Sequence, residues 1–283
     1  MKQELKKLAH DFALWLGNQD ENLLELPPQK NFFSEQNQYS VNSVDDLAAE
    51  TEKNEALSAA EDALEQSRNK QMQKTSKKML LDNLREQVIS CRRCPLGQYR
   101  LNAVFGTGSA DAKLMFVGEG PGFQEDHQGE PFVGRSGQLL DKIMETVLGL
   151  RRADVYIANI VKCHPMKNPD TPEAHSNDRP PSADETSACK DYLLEQIKII
   201  QPVCIVPLGS VAAKFLLRTN EGISFLRGKA YDYDRSSIPE ITHPIQIVPT
   251  YHPAALLRNP NLKRDTWYDI KLVKSILDSA GQH

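Results

Sequence analysis

The stretch LMFVGEGPGFQED, residues 114–126, joins an unbroken apolar run to three glycines, a proline and a pair of acids. A short continuous apolar run bounded by turn residues reads as a strand buried on both faces. The loop after it is poor in side chains, so something must come close to the main chain at Gly118, Gly120 and Gly122. Pro121 stiffens that turn. GEGPG lacks the GxGxxG spacing, and the chain has no GxxxxGK[ST], which removes a P-loop from consideration. Two readings of the loop remain: a tight strand-to-helix turn, or a cradle in which main-chain N–H groups meet a planar or anionic ligand.

Working outward, further strands are expected at 113–118, 155–161, 203–209 and 245–250, with helices near 136–149, 184–200, 210–218 and 264–279. Apolar strands alternating with helices predict an α/β fold, a three-layer α/β/α arrangement with a central, mostly parallel four-stranded sheet. Such sheets gather ligands at the carboxyl ends of their strands. Here those ends read GEGPG, AN, PLGS and YHP. The site is expected along that edge.

Residues 81–283 form the expected catalytic domain. Ahead of it, Leu5, Leu8, Phe12, Trp15 and Leu16 share one helical face, so 1–17 reads as an amphipathic helix. Residues 18–80 read as an acidic polar linker, partly disordered, with too little apolar surface for a core. QKNFF at 29–33 resembles short glutamine-plus-aromatic peptides that dock on bacterial sliding clamps, although two solvent-facing phenylalanines in a linker is the plainer reading. Residues 1–70 carry 7 Lys or Arg against 14 Asp or Glu, so the other residues hold about +3 of the total −4. The domain is thus permitted to approach a polyanion. No apolar run nears the roughly 18 residues of a membrane span. Asp11 interrupts the short apolar part of the basic start, which disfavours a signal peptide. The expected location is cytoplasmic.

The cysteines are Cys91, Cys94, Cys163, Cys189 and Cys204. An odd number in an intracellular chain argues for ligands or buried thiols over disulfides. Cys91-Arg-Arg-Cys94 has the gap that lets two thiolates grip one centre. Four soft ligands suit tetrahedral zinc or an iron–sulfur cluster, and the spacing alone barely separates them. Cys204, inside VCIVP, reads as a small buried hydrophobe.

Four segments in order, GEGPGFQED, HQGEPFVGRSGQLLD, NIVKCHP and YHPAALLR, resemble the family-four uracil-DNA glycosylases over roughly residues 84–280. The resemblance implies hydrolysis of the N-glycosidic bond of uracil in single- or double-stranded DNA, leaving an abasic site. It implies a [4Fe–4S] cluster on Cys91, Cys94, Cys163 and Cys189, base stacking by Phe132, edge recognition by Asn159 and leaving-group stabilisation by His252. Main-chain groups of Glu119 and Gly120 would approach the uracil and sugar. Glu125 would orient water or guard the space beside C5. Leu256 or Leu257 would fill the gap left by the extruded nucleotide, with Arg258 on the backbone.

A nucleoid-associated monomer is expected. Lys162 adjoins a ligand cysteine, a poor place for a Schiff-base amine, so the enzyme should be monofunctional. Arg92, Arg93 and Arg100 are candidates for phosphate contacts. His164 stands where the family commonly has arginine, and the loop after it is long, which puts that loop's DNA contacts in doubt. A histidine nucleophile that traps DNA is disfavoured, because the cluster cysteine is kept. Gly120 replaces the Asp or Asn with which other branches activate water, so a catalytically weak uracil-DNA-binding iron–sulfur protein is the alternative, and a zinc-stapled nucleotide enzyme a third.

Overall fold

A computed structural model describes residues 65, 68, 71, 72, 75–174 and 177–280. The helix expected at 1–17 and nearly all of the linker at 18–80 lie outside them.

The centre is the expected parallel sheet. β2 (Leu114–Gly118), β3 (Tyr156–Asn159), β4 (Cys204–Pro207) and β6 (Gln246–Ile247) run parallel, in the order β3-β2-β4-β6. Two antiparallel strands of two residues each, β1 (Thr107–Gly108) and β5 (Tyr231–Asp232), extend it at the edges to six strands. Segments that short carry no periodicity, so the sequence did not announce them.

Side chains alternate across β2 and sort the helices into two layers. Met115 and Val117 enter a core with Leu84 and Val88 of α1 (75–90) and Leu193 and Ile197 of α5 (Ala183–Ile200). Leu114 and Phe116 enter the opposite core with Leu140 of α4 (Arg135–Ile143) and Ile270 and Val273 of α9 (Leu262–Ala280). Each such fully buried side chain contributes about 1.5–3 kcal/mol of transfer free energy. Cys204 faces the second core and is fully buried, whereas Cys189 packs in the first. The odd thiol is thereby held on the other side of the sheet from the rest.

The helix expected at 136–149 is α4 continued by a π-helical turn at Met144–Leu148. The start of α5 is strongly specified. Ser182 Oγ accepts from Glu185 N at 3.1 Å, Glu185 accepts from Ser182 N at 2.7 Å, and Arg179 grips the same carboxylate at 2.6 and 2.8 Å. This capping box fixes where the helix bearing Cys189 begins. Short helices α2 (Leu96–Tyr99), α3 (Phe123–Gln128), α6 (Ser210–Leu217), α7 (Ile223–Leu226) and α8 (Pro253–Arg258) complete the domain.

Candidate functional site

The carboxyl ends of β2, β3 and β4, with the chain beyond β6, open into a cleft of about 960 Å³. Glu119 and Gly120 line it from the first loop, Glu125 from α3 and Phe132 from the next turn. Asn159 enters from β3, and His252 and Arg258 from the last loop and α8. Residues far apart in sequence thus share one cavity at the expected sheet edge.

Asn159 lies at its floor, 1 % exposed, and neither Nδ2 nor Oδ1 has a hydrogen-bond partner. A buried amide without partners is costly, and sites of this kind mark ligand contacts. Gly118 explains how the amide fits: a Cβ there would stand 2.3 Å from Asn159 Oδ1 and 2.7 Å from Phe132 Cζ. The ring tip and the amide share the space above that glycine.

Phe132 sits in the left-handed region at φ 55°, which costs a non-glycine residue on the order of 1–3 kcal/mol. Its neighbours hold it there. Arg152 donates to the carbonyls of Pro131, at 3.0 Å, and Phe132, and its Nε is paired with Asp141 at 2.7 Å. Gly137 lets α4 pass under the same carbonyl; a Cβ there would be 1.7 Å from Phe132 O. The rings of Phe132 and His252 have centroids 5.5 Å apart and a 31° tilt.

His252 caps α8. Its Nδ1 accepts from Ala254 N at 3.1 Å, with Pro253 at the first helical position, where no N–H is needed. Accepting at Nδ1 leaves Nε2 as the N–H donor of a neutral ring. Burial, and then the charge of Arg258, pull its pKa down to about 4. The ring is therefore a neutral donor at physiological pH. Beneath it, Asp269 accepts from Thr250 Oγ1 at 2.7 Å and takes Arg227 at 2.8 and 3.0 Å, fixing the strand end that leads to His252. Sequence reading missed Arg152, Gly137, Arg227 and Asp269, because their partners lie on other segments.

Glu125 is a clamp. Oε1 accepts from Val133 N at 3.0 Å and Gly134 N at 3.1 Å, and Oε2 from Gly122 N at 3.2 Å. Three main-chain donors thus engage the carboxylate expected to orient water or guard the space beside C5. Glu119 has its pKa raised by burial.

Leu256 corrects one expectation. It is 1 % exposed and packed inside, while its neighbour Leu257 is 42 % exposed and lines the cleft. A buried side chain has no reach to a duplex, so between the two the surface position is Leu257. Arg100, a candidate for phosphate contact, has its guanidinium bonded to Cys163 Sγ at 3.0 Å and to the Ile89 carbonyl. Arg93 stacks 4.8 Å from the centroid of Tyr192, and Arg92 is exposed.

Cys91, Cys94, Cys163 and Cys189 line one small cavity, contributed by the segment between α1 and α2, the stretch after β3, and α5. Burial pushes the Cys163 thiol up to about 11. Arg100 and the Lys162 main-chain N–H, 3.3 Å from Cys189 Sγ, are donors to sulfur. Among the described residues no three His, Cys, Asp or Glu side chains are placed to hold a single metal ion.

His164 is buried, bonded to Asp178 at 2.6 Å and 3.7 Å from Asp126, and does not face the cleft. Both carboxylates raise its pKa against the effect of burial, to about 9. The long loop it begins contributes Pro165 and residues 178–181 to the cleft wall. No helix among the described residues is long and apolar enough to cross a membrane.

Comparison with known proteins places this geometry. The model of the uracil DNA glycosylase superfamily matches residues 105–271. A type-4 uracil-DNA glycosylase of Sulfurisphaera tokodaii is 42% identical over 200 residues, 69% of this chain and 84% of its own. The type-4 uracil-DNA glycosylase of Saccharolobus solfataricus is 39% identical over 203 residues, covering 70% and 87%. That of Thermotoga maritima is 40% identical over 205 residues, covering 71% and 97%.

Proposed function

The chain belongs to the uracil DNA glycosylase superfamily, in its type-4 branch, and from that premise we propose that it removes uracil from DNA by hydrolysing the N-glycosidic bond. The single observation that carries this reading is the Asn159 amide, buried at the cleft floor with a donor and an acceptor both unpaired. Uracil presents the matching edge, an N3–H beside O4.

The nucleotide swings out of the helix and its base enters the cleft, displacing the Phe132 ring to lie against it. Asn159 pairs with the edge. His252, neutral and donating from Nε2, meets O2, where negative charge grows as the base departs. A donor fixed at that position is commonly worth a hundredfold or more in rate. Glu119 and Gly120 offer main chain to the base and sugar. Glu125 holds the glycine loop to the Phe132 turn through its three main-chain bonds. With that carboxylate engaged and Gly120 bare, catalysis leans on stabilising the leaving base.

No lysine lines the cleft among the described residues, which fits a monofunctional enzyme that leaves an abasic site uncut. Arg258 and Leu257 at the rim suit the backbone and the gap left by the extruded nucleotide. Cys91, Cys94, Cys163 and Cys189 would hold a [4Fe–4S] cluster. The four thiols line one cavity, and the N–H donors beside the sulfurs of Cys163 and Cys189 would suit bound thiolates. The cluster would serve as a staple between three segments of the chain.

The test is release of uracil from a uracil-containing oligonucleotide by cluster-bearing protein, against His252→Ala and Asn159→Ala. Multiple turnovers by wild type, with deep losses in both variants, are expected. Tight uracil-dependent binding without release would instead favour a binding protein, the reading to which bare Gly120 gives room.

A further inference from the structure

Lys162 is 1 % exposed, on a chain whose charged groups otherwise mostly reach water. A buried ammonium is costly, so its partners are informative. They are two neutral oxygens: the main-chain carbonyl of Asn159 at 2.7 Å and Oε1 of Gln196 at 2.7 Å. Gln196 is itself immobilised, donating from Nε2 to Phe105 O at 2.8 Å and to the Tyr156 hydroxyl at 3.0 Å. Lys162 also lines the four-cysteine cavity. Cys189 and Gln196 are seven residues apart on α5, two turns, and so share a helix face.

We propose that Lys162 is a positioning residue for base recognition, tying the strand end that carries the Asn159 amide to Gln196 and to the wall of the cysteine cavity. Fixing the Asn159 carbonyl fixes the peptide plane at the end of β3, and with it the direction in which the amide leaves the backbone. The amide has no hydrogen bond of its own to aim it. Its orientation in the free protein therefore depends on packing and on this main-chain anchor. Because Lys162 also lines the cysteine cavity, the wall of that cavity and the reading residue are joined through one residue. The inference rests on the proposed role of Asn159.

The test is a double-mutant cycle in cluster-bearing protein, pairing Lys162→Met with Asn159→Ala. It is read in single-turnover uracil release over long times and in affinity for free uracil, with iron content and thermal midpoint measured alongside. Lys162→Met is expected to lower release and affinity about tenfold or more in the wild-type background, and less than about twofold once Asn159 is gone. Equal losses in both backgrounds, or no loss in either, overturn the proposal. If Lys162→Met does not accumulate with iron, Gln196→Met is carried through the same cycle. An additive or absent effect there, or failure of both variants to fold, makes the lysine a stability element and overturns the positioning role. Wild-type protein that releases no uracil counts against the glycosylase reading, while the affinity cycle still judges Lys162.

Discussion

Replacing Asn159 by leucine should stabilise the free protein while destroying its activity. Leucine keeps the branched outline of asparagine and puts methyl groups where Oδ1 and Nδ2 now stand unpaired. Each orphaned buried polar atom costs about 1–3 kcal/mol. Allowing for imperfect repacking beside Phe132, a net gain of about 2 kcal/mol is expected. In a domain of this size that raises the melting midpoint by about 4–8 °C. The same change deprives uracil of its edge partner and leaves the base's own N–H and carbonyl facing methyls. Losses of about 10⁴-fold are typical where a site built to hydrogen-bond its substrate loses that pairing.

Thermal unfolding without DNA, with visible absorbance to verify cluster retention, gives the first quantity, and single-turnover base release gives the second. Two results would refute the reasoning. A drop of several degrees would mean that the amide is paired in solution. Release within tenfold of wild type would mean that another group reads the base.

Three other outcomes are expected. Folding holds the His252 pKa at about 4 against an unfolded value near 6.5, so the unfolded chain binds the proton first as pH falls. Its contribution is complete above about pH 6.5 and diminishes by up to about 3 kcal/mol down to pH 4. Urea unfolding of His252→Gln should lack that increment, and an unchanged pH slope would count against the half-buried neutral ring. Cys204→Ala should keep its iron and colour while Cys189→Ala loses both; iron loss from the first would move Cys204 into the ligand set. Leu256→Ala should destabilise by about 2–5 kcal/mol, as core truncations do. Leu257→Ala should leave the melting midpoint unchanged and weaken binding to duplex DNA, and a reversal of the two would return the wedge to Leu256.

The layered fold was legible because its signals are local. Three of the four central strands are apolar runs ending in glycine, asparagine or proline, and the ends of those runs pointed to a common edge. The cleft residues were legible for a different reason: GEGPG, Phe132, Asn159 and His252 sit in short motifs resembling one family. What holds them had no such mark. Arg152 reaches Phe132 across 20 residues, Gln196 reaches Phe105 across 91, and Asp269 reaches Arg227 across 42. None leaves a period or a spacing in the chain. Glu125 shows the same limit from the opposite side. Its place in the motif suggested orienting water or guarding the space beside C5, and the three main-chain bonds that engage it are visible only in the fold. A motif marks residues that share a cleft without recording which main-chain bonds already engage them. The main chain around Glu125, the half-buried Arg152 and the lysine behind the amide belong to the tertiary fold.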